Sequence, residues 1–244
     1  MDTSSGKYLY CVFQGEDFQE LEVPTIDNNS KAYTISYEDI LAVVSDTDQF
    51  IFDPTQKNAM AHERVISEVM KENTVVPMSF GNVFKSEENI TIFLQGIHEE
   101  VKSVLAEIEG KIELGLKIFW DPDDIAREVK EENPELANIG EASYQFQIRI
   151  GQKVAELVDE KRNYYSKEIM EGLNELAIAS KKNRTIGDRM VLNAAFLIQR
   201  EMEENFDTKV NELYEKFEDK LEFKYTGPWP PYNFVNIKLE IRGE

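Results

Sequence analysis

Cysteine is nearly absent from this sequence. Cys11 is the only cysteine among 244 residues, so there is no internal disulfide and no CxxC pair for metal binding or redox chemistry. This usage is typical of proteins kept in a reducing cytoplasm. Because Cys11 stands within the apolar run Tyr8–Phe13, we expect a small buried side chain rather than a thiol nucleophile.

Long hydrophobic runs are also missing. The densest apolar stretch, Met190 to Ile198, is nine residues long and is interrupted by Asn193, whereas a membrane-spanning helix needs about 20 apolar residues. The residues before Tyr8 are few and polar and contain no basic region or cleavage site, so we expect no signal peptide. These features predict a soluble cytoplasmic protein that does not bind membrane lipid.

Positive charge is scarce. The sequence has 27 Lys and Arg against 47 Asp and Glu, which gives a net charge of −20. The phosphates of a nucleic acid would be repelled by such a surface, so we exclude nucleic acid as a partner. Apolar residues make up 41% of the sequence, which is enough to form a hydrophobic core.

Motifs of the common enzyme classes are absent too. The sequence contains no GxGxxG, GxxxxGK[ST], HExxH or GxSxG pattern. Only two histidines are present. His62 falls on the apolar face of a predicted helix, so we expect a packed core side chain, and His98 lies in a surface-like stretch. We therefore predict that the protein is not an enzyme and binds no cofactor.

An acidic cluster near the middle of the chain has the ligand type that hard cations prefer. Asp121, Asp123 and Asp124 supply carboxylates at short spacing. However, Asp before Pro122 is the usual start of a helix, where further acids are favoured by the helix dipole. We therefore interpret the cluster as helix capping and predict no metal site.

The apolar pattern of residues 1–110 predicts a mixed α+β domain. Aromatic and β-branched runs predict strands, and two capped amphipathic segments predict helices. The first helix is expected to start at Asp53-Pro54, with Asp53 as N-cap, to end near Glu72, and to bury Ala59, His62, Ile66 and Val69. The second is expected to start at Ser86 and to stop at Gly110. The predicted strands are Tyr8–Phe13, Ala32–Ser36, Leu41–Ser45 and Val75–Pro77.

Residues 111–244 predict a second domain. The alternation of apolar residues from Lys111 to Trp120 indicates a strand, and a longer amphipathic pattern indicates a helix from Tyr144 to about Ser180. Their order resembles a ferredoxin-like α+β sandwich. The other elements expected here are a short helix from Asp121-Pro122 to Asn133-Pro134, a strand over Met190–Gln199, a helix from Asp207 to about Lys220, and strands over Leu221–Tyr225 and Phe234–Ile241.

Residues 225–234, here called the aromatic segment, differ from an ordinary polar loop. They contain four aromatic residues, three prolines and a glycine. One interpretation is a rigid, self-packed connection that plugs the edge of the domain core. The other is a docking surface, because rigid aromatic side chains lose little entropy on binding. The candidate partner-binding residues are Tyr225, Trp229, Pro230, Tyr232 and Phe234.

Four stretches of the sequence resemble those of the gas vesicle protein F and L family (GvpF/GvpL). YTGPWPPYNFV at 225–235 is similar to the C-terminal signature of the family. Residues 75–84 are similar to its VxPxxFGxVF segment, which follows a helix with a histidine at the place of His62. Residues 110–117 resemble its GKxExxLK strand and residues 192–198 its LNAAFLV strand. The four stretches occur in the family's order.

The resemblance implies both a fold and a function. The fold is two α+β domains, 1–110 and 111–244, the second a modified ferredoxin-like domain. The function is that of a non-enzymatic minor component of the gas vesicle, which binds the main shell protein GvpA and supports nucleation or prevents aggregation. One alternative is an adaptor that bridges other gas vesicle accessory proteins without touching the shell. A more distant one is a hydrolase that uses His62 or His98 with an acid.

Overall fold

The computed structural model describes residues 5–16, 20–27, 30–136 and 144–235. The fold is mixed α+β, as predicted. The strands are β1 (Gly6–Gln14), β2 (Ala32–Tyr37), β3 (Ile40–Thr47), β4 (Val75–Pro77), β5 (Val83–Phe84), β6 (Lys111–Phe119), β7 (Ala179–Lys182), β8 (Met190–Gln199) and β9 (Glu222–Trp229). The helices are α1 (Gln56–Met70), α2 (Glu87–Ile108), α3 (Pro122–Glu132), α4 (Tyr144–Asn174) and α5 (Glu203–Phe217). In the described part of the chain, no helix is both long and apolar enough to cross a bilayer.

The chain forms two compact units. Among the described residues, the first unit contains those up to Ile112 and residues 229–235, and the second contains those from Glu113 to Pro228. The domain limits inferred from the sequence, 1–110 and 111–244, stay a prediction. The first unit is built on a sheet in which the strand order is β2-β3-β1-β4, and β5 also pairs with β1.

The central strand β1 is buried on both of its faces. Tyr8 and Phe13 belong to the core cluster that α1 completes, whereas Leu9 and Val12 belong to the cluster that α2 completes. A strand covered on both sides must be apolar throughout, and this explains the uninterrupted run in the sequence. The register with β3 shifts between Leu9 and Cys11, so the buried Cys11 joins the α1 side, as expected of a core residue.

Helix α1 begins later than the sequence pattern predicts. Its N-cap is Thr55, whose Oγ1 accepts a hydrogen bond of 3.2 Å from the backbone N–H of Asn58. Asp53 is therefore not the N-cap; its carbonyl oxygen instead accepts bonds from the backbone N–H of Thr55 and the side chain of Asn58. The prediction that Ala59 is buried is also wrong, since Ala59 is exposed. The buried residues of this helix are Ala61, His62, Val65, Ile66 and Val69.

The second unit contains a four-stranded sheet in the order β7-β8-β6-β9. The predicted alternation of β6 and the limits of β8 are confirmed. Helix α4 ends at Asn174, well before the predicted Ser180, because Ile178 N–H already donates to Leu197 O at 2.8 Å and leads into β7. The fully buried residues of α4 lie in its second half, which includes Tyr165, Ile169 and Leu173.

Two more boundaries differ from the sequence-based prediction. Helix α5 begins at Glu203 rather than at Asp207. The carboxylate of Asp207 does not cap the helix but accepts a hydrogen bond from the hydroxyl of Tyr225. Strand β9 continues beyond Tyr225 to Trp229. The predicted last strand, 234–241, is largely outside the described residues, and Phe234 itself lies in a turn.

Candidate functional site

The aromatic segment begins within β9, and its first residue is held in place by α5. Tyr225 donates its hydroxyl proton to Asp207 Oδ1 at 2.6 Å. Its ring stacks on Phe206 with centroids 6.3 Å apart. Burial and the neighbouring carboxylate both raise the pKa of Tyr225. The phenol therefore stays protonated and fastens β9 to α5 within the second unit.

Gly227 explains how the chain passes so close to β6. Its φ of +124° is one that L side chains rarely adopt. A Cβ at this position would lie 2.9 Å from the carbonyl oxygen of Glu113 and 3.0 Å from Leu114 Cδ2. The glycine in the TGPWPP sequence is thus required by a close approach of backbone to backbone within the second unit.

The remainder of the segment, from Trp229, belongs to the first unit and folds tightly on itself. Pro230 and Pro231 are buried. The carbonyl of Pro231 accepts bonds from the N–H groups of Phe234 and Val235 at 3.0 and 3.1 Å. Trp229 and Phe234 are half-buried, whereas Tyr232 is 37% exposed. The two prolines are therefore covered, whereas the aromatic side chains around them keep part of their surface accessible.

His62 lies in the core of the first unit, where both ring nitrogens have partners. Nε2 is 3.1 Å from the carbonyl oxygen of Met78, and Nδ1 is 3.0 Å from the hydroxyl of Tyr8. Because a carbonyl only accepts, Nε2 carries the proton, and Nδ1 accepts from Tyr8. Burial lowers the pKa of His62 to about 4, so the ring is neutral at pH 7. The prediction of a packed core histidine is confirmed.

The same contacts fix the segment of residues 75–84 on β1. The Tyr8 hydroxyl accepts a bond from Gly81 N–H at 3.0 Å, and Met78 N–H donates to Tyr10 O at 2.9 Å. Gly81 has a φ of +91°, which favours glycine. The histidine and the FG pair that resemble the family pattern therefore have a structural role here. Sequence reasoning missed the partnership with Tyr8 because 54 residues separate the two side chains.

His98 is less isolated than its surface-like sequence context indicates. Its Nε2 is 2.6 Å from Asp39 Oδ1, and its Nδ1 is 3.0 Å from Glu99 Oε1. Asp39 raises the pKa of His98. In turn, Lys102 and then His98 lower the pKa of Asp39 to about 2. These contacts fasten the turn between β2 and β3 to α2.

The acidic cluster of α3 caps that helix, as predicted. Asp121 Oδ1 accepts bonds from the N–H groups of Asp123 and Asp124, at 2.9 and 3.4 Å. Asp124 also pairs with Arg127 one turn further along. All three carboxylates are thus placed as a helix start requires.

Several large apolar side chains remain exposed on each unit. In the first unit, Phe50 and Ile51 lie side by side before α1 and are 51% and 86% exposed, and Met60 on α1 is 54% exposed. In the second unit, Ile186 is 75% exposed. The adjacent exposed residues Phe50 and Ile51 are candidates for contact with a partner, whereas single exposed apolar residues such as Met60 and Ile186 are common on protein surfaces. No sequence motif singles out Phe50 and Ile51.

Comparison with known proteins gives consistent matches over nearly the whole length. Gas vesicle protein F1 of Halobacterium salinarum is 33% identical over 236 residues, which cover 95% of this chain and 93% of that protein. Gas vesicle protein F of Haloferax mediterranei is 30% identical, covering 97% of this chain and 96% of that protein. Gas vesicle protein L1 of Halobacterium salinarum is 21% identical, covering 95% and 91%.

The fold is likewise similar to solved structures. The crystal structure of the gas vesicle protein GvpF from Anabaena sp. PCC7120 matches with a TM-score of 0.81 and 26% identity, covering 97% of this chain and 100% of that one. The GvpF structure from Microcystis aeruginosa gives 0.79 and 25%, covering 96% and 100%. The family model of the gas vesicle synthesis protein GvpL/GvpF matches residues 6–236. On these grounds, the chain belongs to the gas vesicle synthesis protein GvpL/GvpF family.

Proposed function

We propose that the protein is a non-enzymatic accessory protein of gas vesicle formation that binds the main shell protein GvpA. The observation that carries the proposal is the family match across residues 6–236. The protein would act in the cytoplasm and at the gas vesicle, as a minor component, and would support nucleation of the shell or prevent aggregation of its subunits.

The physical properties of the two partners are complementary. A wall that excludes liquid water on its inner side needs very apolar subunits, and before assembly these expose surface and strand edges that aggregate. A protein that covers them must itself stay soluble, and a net charge of −20 favours this. In the first unit, the exposed side chains of Phe50 and Ile51 would supply an apolar contact for such a subunit.

Within the aromatic segment, we propose that Trp229, Tyr232 and Phe234 contact the shell protein and that the buried Pro230 supports them from below. Partly exposed aromatic side chains beside buried prolines are held rigidly, so little conformational entropy is lost when a partner binds. Tyr225 belongs to the same predicted set, but its hydrogen bond to Asp207 supports a role in holding β9 in place. We further propose a ferredoxin-like second domain, which the strand order β7-β8-β6-β9 supports.

The proposal is tested by co-expressing the tagged protein with GvpA alone and measuring how much GvpA is soluble and captured. Trp229→Ala and Tyr232→Ala are expected to lower capture. Tyr164→Ala is the matched control, because Tyr164 is an exposed tyrosine on α4, at 53%. Equal capture by all variants would exclude the aromatic segment as the docking site. If no GvpA is captured even by the unaltered protein, the adaptor alternative becomes the better explanation.

A further inference from the structure

We propose that Glu38, Asp39 and His98 form a binding site for one Zn²⁺ ion on the first unit. The three donor atoms, Glu38 Oε2, Asp39 Oδ1 and His98 Nε2, all lie within 4.8 Å of one another. His98 Nε2 is 2.6 Å from the Asp39 oxygen and 3.5 Å from the Glu38 oxygen. One imidazole nitrogen and two carboxylate oxygens are ligands that Zn²⁺ accepts, and the remaining position is open to water.

Two elements of the fold bring these donors together. Glu38 and Asp39 are the two residues that join β2 to β3, and Tyr37 pairs with Ile40 directly before and after them. The turn requires a φ of +51° at Glu38. His98 is on α2, which contributes to the core cluster on one face of this sheet. The donors therefore project from a tight turn and from a helix packed on the same sheet.

Hydrogen bonds from neighbouring side chains orient two of the three donors, Asp39 and His98. Asp39 Oδ2 accepts from Gln14 Nε2 at 2.9 Å and from Lys102 Nζ at 2.8 Å, which leaves Oδ1 facing His98. The Nδ1 of His98 is 3.0 Å from Glu99 Oε1, so this carboxylate holds the proton on Nδ1 and leaves Nε2 for the ion. A ligating histidine commonly donates its other N–H to a carboxylate in this way.

The site needs only a small adjustment to hold the ion. In a tetrahedral site with ligand bonds of about 2.0–2.2 Å, donor atoms are separated by about 3.4 Å. Zn²⁺ would replace the proton that His98 now shares with Asp39, and the two donors would move slightly apart. Glu38 can close in, because its side chain is 62% exposed. The imidazole favours Zn²⁺ over Mg²⁺ and Ca²⁺, which prefer oxygen ligands.

Lys102 sets the expected strength of binding. Its ammonium group is 2.8 Å from Asp39 Oδ2 and opposes the approach of a cation. We therefore expect moderate affinity and a stabilising role, in which the ion joins the β2–β3 turn to α2. The role is independent of shell binding.

The experiment titrates the full-length protein, first treated with EDTA and dialysed, with ZnCl₂ by calorimetry and by thermal unfolding. We expect one ion per chain and a rise in Tm. His98→Gln and Asp39→Asn should each weaken binding by about tenfold or more, since each removes a direct ligand. Asp123→Asn, which alters a carboxylate in the first turn of α3, is the matched control and should bind as the unaltered protein does.

Glu38→Gln separates a metal site from a purely structural contact. It leaves the pairs His98–Asp39 and Lys102–Asp39 intact and removes only the exposed ion pair of Glu38 with His98, so the metal-free Tm should change little, whereas Zn²⁺ affinity should fall several-fold. If Zn²⁺ binds the His98 and Glu38 variants as tightly as the unaltered protein, the ion is held nonspecifically by the acidic surface. Equal binding or the absence of binding would each overturn the proposal.

Discussion

The imidazole of His62 and the phenol of Tyr8 are joined by a 3.0 Å hydrogen bond between Nδ1 and the hydroxyl oxygen, inside the first unit. This bond connects α1 to β1. The same two side chains also hold the segment that follows β4, because Tyr8 accepts a hydrogen bond from Gly81 N–H and His62 donates one to the Met78 carbonyl. A histidine in this position has no free nitrogen for proton transfer. Its contribution is to the stability of the unit.

Replacing His62 by Gln should destabilise the protein by about 1–3 kcal/mol. Gln cannot satisfy both the Tyr8 hydroxyl and the Met78 carbonyl with the geometry of a ring, and a buried polar group left without a partner carries this cost. Urea unfolding followed by circular dichroism measures the change. Glu131→Gln, a substitution of an exposed residue on α3, is the control and should lie within about 0.5 kcal/mol of the unaltered protein.

Acid should weaken the protein through the same histidine. The pKa of His62 is lowered from 6.5 to about 4 in the folded state. Between these values the unfolded chain binds the proton and the folded chain does not, so stability falls as the pH drops from 6.5 to 4. The loss through His62 amounts to about 3 kcal/mol.

Because carboxylates also titrate in this pH range, the contribution of His62 is obtained by comparing the pH dependence of stability in the unaltered protein with that in a His62 variant. The free energy of unfolding is measured at pH 7 and pH 4.5 for the unaltered protein and for His62→Gln. The variant should lose about 2–3 kcal/mol less than the unaltered protein over this interval. Equal losses would mean that His62 is not buried as a neutral ring.

Gly227→Ala should destabilise the second unit by more than about 2 kcal/mol. The added methyl group would lie 2.9 Å from the Glu113 carbonyl oxygen, and φ is +124° at this position. Gly96→Ala is the matched control, because Gly96 is on α2 and nothing lies within 4 Å of an added Cβ there. That substitution should stabilise the helix by about 0.5–1 kcal/mol. The Tm of each variant is measured by thermal unfolding. If both substitutions change the Tm in the same direction by the same amount, the close contact at Gly227 is not what requires glycine there.

Tyr225→Phe tests whether the first aromatic residue of the segment is structural. Removing the hydroxyl breaks the 2.6 Å bond to Asp207 while the ring can still stack on Phe206. We expect a loss of about 1–2 kcal/mol in stability, as for a hydrogen bond to a charged group. Capture of GvpA, measured at a temperature where the variant is folded, should be unchanged. Reduced capture by the folded variant would place Tyr225 among the docking residues after all.

Local signals in the sequence were sufficient for much of the fold. The capping residues Ser86 and Asp121, the alternation of β6 and the apolar run of β8 each specify their element from a few neighbouring residues. Asp53 and Thr55 are both residue types that commonly serve as N-caps, so the sequence alone does not distinguish between them. In the structure, the N–H of Asn58 donates to Thr55 Oγ1, which makes Thr55 the N-cap of α1. Strand β7 has only four residues, all exposed, so it shows no alternation that could separate it from the helix before it.

The contacts of the histidines were beyond the reach of local patterns. His98 meets Asp39 across 59 residues, and His62 meets Tyr8 across 54. Pairing of this kind depends on how α1 and α2 pack on the first sheet, which periodicity alone does not give. The aromatic segment, in contrast, was recognisable by its composition, although the bond that commits Tyr225 to Asp207 was not.

Direct binding of GvpA can be measured by co-expressing GvpA with and without this protein and determining the amount of soluble GvpA that is captured by affinity purification. We expect soluble GvpA to be retained only when the protein is present. Trp229→Ala and Tyr232→Ala should reduce the amount captured, and Tyr164→Ala should not. GvpA that remains insoluble and uncaptured in the presence of the folded, unaltered protein would contradict direct binding to the shell subunit.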